Sequence, residues 1–314
     1  MKKIFKGIGY SVMVIVVLIV LFFTGIYFFN RYALTQEAKT LVSYGEQITV
    51  DKHKMTVATK GDATKQPIVL LPGFGTGSPV LDFNELATDL SKQYYVVTIE
   101  PFGYGLSDVV STKRDLETIS NELHTAIQEL NLKNYILMGH SIAGLYTLDY
   151  LNRYPDEVNT FIGIDTSVPF QGDTQTDMSA SLDLLSSSGV YRALSSVNPD
   201  LLNYPKGTKE EKEEFRKLSL KNMGNTTILN EAKAMPQNFK DSEKLRYPKN
   251  DSVLFILASE SIEDTTNGDW LKLHENMVSD LKKSEIVVLD GPHYLHHTQA
   301  STIAKLTTEF LETN

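Results

Sequence analysis

The chain has 314 residues, 30 of them basic and 39 acidic, a formal net charge of −9 and no cysteine. Its length suits one large α/β domain or two small ones. The missing cysteine excludes disulfides, thiolate nucleophiles and cysteine metal sites, and the acidity disfavours nucleic acid or anionic lipid as a ligand.

Lys2, Lys3 and Lys6 precede an uncharged stretch from Gly7 to Asn30 rich in Val, Ile, Leu and Phe. As a helix it spans roughly 36 Å at 1.5 Å per residue, enough to cross a bilayer. The rival reading is a cleaved signal peptide, which normally has a shorter apolar region and a small-x-small cleavage site. Here the run ends in Tyr27-Phe28-Phe29-Asn30-Arg31 without such a site. The expectation is an uncleaved anchor over residues 1–31. The lysines outnumber Arg31 on the other flank, so the N-terminus stays cytoplasmic and the rest lies outside the cell membrane. Beyond residue 31 the chain has 26 basic and 39 acidic side chains, net −13.

Residues 32–45 read as a stalk and 46–314 as a globular domain. Two short strands are expected at Gln47–Val50 and Lys54–Thr59. The apolar run Ile68–Leu71 reads as a buried parallel strand, followed by Pro72-Gly73-Phe74-Gly75-Thr76-Gly77. A helical pattern covers about 80–91, and Tyr94–Glu100 is the next strand. Ile119, Leu123, Ala126, Ile127 and Leu130 form the apolar stripe of another helix. The strand Tyr135–Met138 leads through a turn into a helix reaching about Tyr154. Further strands are expected at Phe161–Ile164, Val253–Ala258 and Glu285–Leu289, with helices at about 269–283 and at the C-terminus. This alternation implies right-handed crossovers and a mostly parallel sheet.

About residues 168–248 interrupt the alternation with a stretch rich in Ser, Asn, Lys and Glu and helical in period. Thr208-Lys209-Glu210-Glu211 has the form of a capping box. The stretch is expected to be a helical insertion covering the carboxyl edge of the sheet.

Gly139-His140-Ser141-Ile142-Ala143-Gly144 reads as strand, sharp turn and helix with one serine at the apex. A hydroxyl held there stands beyond the sheet edge, in a turn only small neighbours permit, which is how a serine becomes a nucleophile. The bland alternative is an N-cap serine on an ordinary strand-to-helix loop. Gly105-Leu106-Ser107-Asp108-Val109 has a similar spacing, but β-branched Val109 stands two after the serine and no buried strand leads directly into it. Ser107 is discounted.

With these residues in view, the chain resembles the α/β-hydrolase superfamily, in the branch with a helical cap between the sixth and seventh sheet strands. Four segments match in order: Leu71-Pro-Gly-Phe-Gly75, Glu100-Pro-Phe-Gly-Tyr-Gly-Leu-Ser107, Gly139-His-Ser-Ile-Ala-Gly144 and Gly291-Pro-His293. The resemblance covers about residues 46–314 and implies an eight-stranded, mostly parallel sheet flanked by helices. It also implies a Ser, acid, His order along the chain.

On that resemblance Ser141 is the nucleophile and His293 its base. The backbone amides of Phe74 and Ile142 form the oxyanion hole. His296 and His297 read as surface or supporting groups, and His140 as packing behind the turn. The acid departs from the common pattern. Alignment on the seventh strand puts Ser261 where relatives carry aspartate. Asp165, at the end of the sixth strand, is preferred, and Glu260 is the alternative. No cofactor and no metal site is expected, since no His-Glu-x-x-His or Walker phosphate motif is present.

The expected activity is hydrolysis of a carboxylic ester or related acyl substrate through an acyl-enzyme. A membrane tether adds a lipid-derived substrate by analogy. Acyltransferase or peptidase chemistry would use the same residues. A catalytically silent, membrane-anchored binding protein is the reading from another class, with the missing acid as its best support.

Overall fold

Helix α1 (Lys2–Glu37) is a single continuous helix. It contains a stretch long and apolar enough to cross a membrane. The computed structural model describes residues 2–172 and 176–313, with side chains from residue 8. Residues 32–45, read as a stalk, comprise the last turns of α1, a 3-10 turn at Ala38–Thr40 and an extended segment. They are packed rather than free. Val42 N–H donates to the Glu214 carboxylate at 2.8 Å, and Tyr44 Oη donates to Glu100 at 2.8 Å.

The domain is built on one sheet with strands β1 (Glu46–Val50), β2 (His53–Lys60), β3 (Pro67–Leu71), β4 (Tyr95–Glu100), β5 (Ile136–His140), β6 (Thr160–Ile164), β7 (Ser252–Ala258) and β8 (Lys283–Leu289). Their order is β1-β2-β4-β3-β5-β6-β7-β8. The hairpin β1–β2 and the β2–β4 pair are antiparallel, and every other pairing is parallel. Strand β3 lies between β4 and β5, so the chain winds outward from β3 in both directions. In such sheets the crevice at the carboxyl ends, beside the switch in direction, is where ligands bind.

Alternate side chains of the strands feed two cores. Val69, Leu137, Phe161 and Phe255 face one side. There they meet α4 (Leu116–Glu129), α5 (Ala143–Arg153) and α11 (Trp270–Val278). Ile68, Leu70, Ile136, Met138 and Ile256 face the other. They pack on α3 (Asn84–Leu90) and on α13 (Ala300–Glu312), which brings Ile303 and Phe310. The continuous apolar runs in the sequence reflect this burial on both faces. Edge strand β8 is only partly covered, and its Ser284, Glu285 and Val288 are exposed.

Short helices complete the frame: α2 (Pro79–Asp82) follows β3, α10 (Ser259–Glu263) follows β7, and α12 (Leu295–Thr298) follows β8. Between β6 and β7 lie α6 (Ser179–Ser187), α7 (Val190–Val197), α8 (Lys209–Asn222) and α9 (Thr226–Ser242), with a 3-10 turn at Pro199–Leu202. The capping box forms at the start of α8: Thr208 accepts from Glu211 N–H, and Glu211 accepts from Thr208 N–H. The helix expected over 269–283 ends earlier, at Val278. The chain then turns, with Leu281 N–H donating to Val278 O, to enter β8 at Lys283.

Candidate active site

The parallel order of the strands lines up five loops along one sheet edge. The loops after β3, β5, β6, β7 and β8 carry Gly73–Phe74, Ser141, Asp165, Ser261 and His293 respectively.

Ser141 follows β5 directly, with φ of 56°, in the left-handed region. Non-glycine residues pay for that conformation in free energy, so the surroundings must hold it. Ser141 N–H donates to Ile164 O at 3.3 Å, and Ser141 O accepts from Ser167 N–H at 2.8 Å. The turn is tight enough to demand its small residues. A Cβ on Gly139 would lie 2.7 Å from Ala143 Cβ, and one on Gly144 would lie 2.3 Å from Ser167 O. Ser141 Oγ makes no hydrogen bond among the described residues.

The loop after β3 abuts this turn, since a Cβ on Gly73 would lie 3.1 Å from Ser141 Cβ. Its shape is fixed by Thr76 N–H donating to Gly73 O, and by Gly75 N–H donating to Tyr104 Oη at 3.4 Å. The amides of Phe74 and Ile142 have no acceptor among the described residues.

Asp165 follows β6 directly, also left-handed, with φ of 44° and fully buried. Its Oδ2 lies 2.6 Å from His293 Nδ1 and accepts from Ser261 Oγ at 2.5 Å. Its Oδ1 accepts from Ala258 N–H at 3.0 Å and Trp270 Nε1–H at 2.9 Å. Burial alone would raise this carboxyl. The His293 contact, Ser261 Oγ and Ala258 N–H outweigh it and hold the group below the usual carboxylate range. Glu260 is exposed on α10, and its carboxylate has no hydrogen bond among the described residues.

Ser261, where the resemblance led one to expect the acid, therefore supplies a hydroxyl donor to a carboxylate one strand away. Trp270 gave no signal in the sequence beyond being the chain's one tryptophan. Ser107 has a structural place: it is buried, donates to Glu100 O at 2.6 Å and accepts from Thr56 N–H. Glu100 itself gathers Tyr44, Ser78 and Leu106 N–H around its buried carboxylate. Burial pushes its pKa up.

Histidines back the site. His140 is buried, and its Nε2 lies 3.1 Å from His293 O. A carbonyl only accepts, so Nε2 carries the proton and Nδ1 is a bare acceptor. Nδ1 has no partner among the described residues. Burial, then the neighbouring His293 and His296, hold the His140 pKa well below the ordinary value. The His140 ring is 4.5 Å from that of His293, centroid to centroid.

His296 is not a surface group. It is buried because the separate turn α12 folds it under the loop onto Asp82, with His296 Nε2 2.8 Å from Asp82 Oδ2 and His297 Nε2 2.7 Å from Oδ1. No metal site was expected, yet Asp82, His296 and His297 form a possible donor set within 4.8 Å. In this structure those atoms bond to each other. Tyr294, beside His293, lines a cavity of about 190 Å³ together with Phe74, Tyr191, Leu202 and Phe215.

Residues 66–198 match the family described as alpha/beta hydrolase fold. The chain is 26% identical over 325 residues to the uncharacterized protein YbdG of Bacillus subtilis, covering 99% of each. It is 30% identical over 105 residues to the human (lyso)-N-acylphosphatidylethanolamine lipase, a match spanning 32% of this chain and 30% of that one. The esterase EaEST from Exiguobacterium antarcticum superposes with a TM-score of 0.65 at 20% identity, covering 86% of this chain and 100% of that one. At that identity the likeness carries the fold.

Proposed function

We propose that this member of the α/β-hydrolase superfamily is a serine hydrolase that cleaves a carboxylic ester or related acyl substrate through an acyl-enzyme. The coarser statement, a hydrolase acting on esters or lipids, is supported by the family match and by the lipase relative. The finer one rests on a single observation: the 2.6 Å contact between His293 Nδ1 and the buried Asp165 carboxylate, on the sheet edge that carries Ser141.

In this reading Asp165 fixes the imidazole so that Nε2 is the free base. His293 takes the Ser141 Oγ proton as Oγ attacks the acyl carbon, then returns it to the leaving alcohol. The tetrahedral oxyanion is met by Phe74 N–H and Ile142 N–H, whose hydrogen bonds strengthen as charge develops. The acyl-enzyme is released by water activated at the same imidazole. The ground-state Ser141 hydroxyl need not be bonded to His293 in advance, because catalytic contacts tighten on substrate binding. No cofactor is called for.

The domain would comprise residues 46–314, with residues 168–248 as a cap over the site. Helix α1 would be an uncleaved anchor with a cytoplasmic N-terminus and an extracytoplasmic domain. The test is hydrolysis of 4-nitrophenyl esters by the full chain in detergent. Activity in the wild type that falls by about 10³-fold or more in His293→Ala supports the reading. Equal turnover by the two proteins refutes it.

A further inference from the structure

Helix α7 turns part of its apolar surface outward. Its polar Arg192 and Ser195 are buried at 6% exposure each, while its apolar Leu194 and Val197 stand 44% and 81% exposed. On the neighbouring α6, Leu184 is 67% exposed. A helix of a water-soluble domain turns its apolar stripe inward, so an outward stripe marks a surface that is covered in use.

The buried polar side explains how α7 is held. Arg192 Nη1 and Nη2 donate to the two oxygens of Glu37 at 2.8 and 2.7 Å, and Arg192 Nε donates to Asn30 Oδ1 at 2.8 Å. Arg216 of α8 donates to Glu37 from the other side at 2.6 Å. Asn30 Nδ2 donates to Ser186 O at the end of α6. Glu37 and Asn30 belong to α1, so the last turns of the apolar helix are clamped to the insertion.

The depth of the clamp follows from Gly189, at the α6–α7 corner. A Cβ there would lie 2.9 Å from Ile26 O and 2.7 Å from Asn30 Cβ. The corner thus sits level with Ile26, inside the apolar run, within about one 5.4 Å helical turn of its end. A bilayer that holds Val12 to Phe23 must bring its headgroup region to this corner. Over residues 179–203 the only Lys or Arg is the buried Arg192, whereas Asp183 and Asp200 are exposed. The attraction is therefore apolar, not electrostatic.

We infer that the exposed apolar face of α6 and α7 is seated in the interfacial layer of the membrane that α1 spans, and that the site draws its acyl substrate from that layer. The inference rests on the proposed anchor and hydrolase readings. Tyr191 of α7 lines the cavity that also holds Phe74. Leu201 lines it too and is 44% exposed, so the cavity opens beside the seated face. An ester dissolved in lipid would enter there without crossing water.

The chain has no cysteine, so one introduced cysteine can carry a fluorophore alone. The full chain is reconstituted in phosphatidylethanolamine–phosphatidylglycerol vesicles and labelled at Leu184→Cys, Val197→Cys, Val14→Cys or Asp156→Cys. Lipid brominated near the glycerol end of its acyl chains should quench the labels at 184 and 197 about twofold, at the depth reached by interfacial helices. It should leave the label at 156, which precedes β6 at the opposite sheet edge, unquenched. High salt should not relieve the quenching. Labels at 184 and 197 that behave like the one at 156 overturn the inference, as does energy transfer between copies without lipid quenching, which makes the face a protein contact. An unquenched label at 14 shows that the anchor reading itself has failed, and the inference falls with it.

The double variant Leu194→Asp/Val197→Asp should lose about tenfold on a long-chain ester dissolved in vesicles, while 4-nitrophenyl acetate turnover stays within about twofold. Equal loss on both esters, or on neither, overturns the supply route. Absence of all ester turnover in the wild type, with quenching intact, locates the failure in the hydrolase reading and removes the route while leaving the seat.

Discussion

Ser261 Oγ donates a 2.5 Å hydrogen bond to Asp165 Oδ2, the same oxygen that lies 2.6 Å from His293 Nδ1. The two residues sit on adjacent loops, after β7 and after β6, because those strands pair in parallel with Ile164 opposite Ile256. A hydroxyl therefore stands at the position where the resemblance led one to expect the acid, and it donates to the carboxylate of Asp165 on the neighbouring loop. The hydroxyl, the Ala258 amide and the Trp270 indole supply three donors to one buried acid. Such donors favour the ionised form of a buried carboxylate.

Asp165→Asn should lower ester turnover by about 10³- to 10⁴-fold, because an amide favours the wrong imidazole tautomer. Glu260→Gln, at an exposed position, should stay within about twofold. Ser261→Ala removes one hydrogen bond to a charged group and should cost about tenfold in kcat, with KM little changed. Steady-state kinetics on one ester substrate gives all three. A larger loss in Glu260→Gln than in Asp165→Asn would reverse the assignment.

Acid should act on the stability of the protein through its buried histidines. His140 and His296 are buried and both have pKa values below the ordinary one, with burial as the leading cause. The native state binds fewer protons at these rings than the unfolded chain does. Their neutral forms therefore favour folding above the unfolded histidine pKa of about 6.5, and that contribution is lost as pH falls from there toward the folded values. Melting temperature in detergent should drop between about pH 7 and pH 5. His140→Gln, which can still donate to His293 O, should show a shallower drop. A melting temperature flat across that window in the wild type would contradict the buried neutral imidazoles.

Glu37 joins Arg192 and Arg216 at the junction of α1 with α7 and α8. The two arginines pull its pKa below the usual range, although burial opposes them. Glu37→Ala leaves Arg192 buried and without its carboxylate, and should cost about 2 kcal/mol of stability, since the site is partly exposed. Chemical denaturation in detergent measures it. A loss no larger than that of an exposed control, Glu263→Ala, would mean that the junction contributes nothing.

Much of the frame was legible because it is local. The run Ile68–Leu71 is apolar throughout since β3 is buried on both faces, and Thr208 to Glu211 spelled out a helix start that needs no distant partner. The turn at Ser141 was legible because Gly139 answers to Ala143, four residues on, and Gly144 to Ser167, just beyond the next strand. What the sequence could not supply were meetings between remote segments. Trp270 reaches Asp165 across 105 positions, and His296 reaches Asp82 across 214. Each depends on strand order, not on spacing. The same holds for the segment read as a stalk. Arg192, Arg216 and Glu37 are ordinary surface residues until the insertion folds back onto α1.

Covalent labelling is the most direct test of Ser141 as the nucleophile. The full chain in detergent is treated with a fluorophosphonate, digested and mapped by mass spectrometry. The predicted result is one adduct, on Ser141, absent in Ser141→Ala and strongly reduced in His293→Ala. No adduct on the folded wild type, or equal labelling of Ser141→Ala, would contradict it.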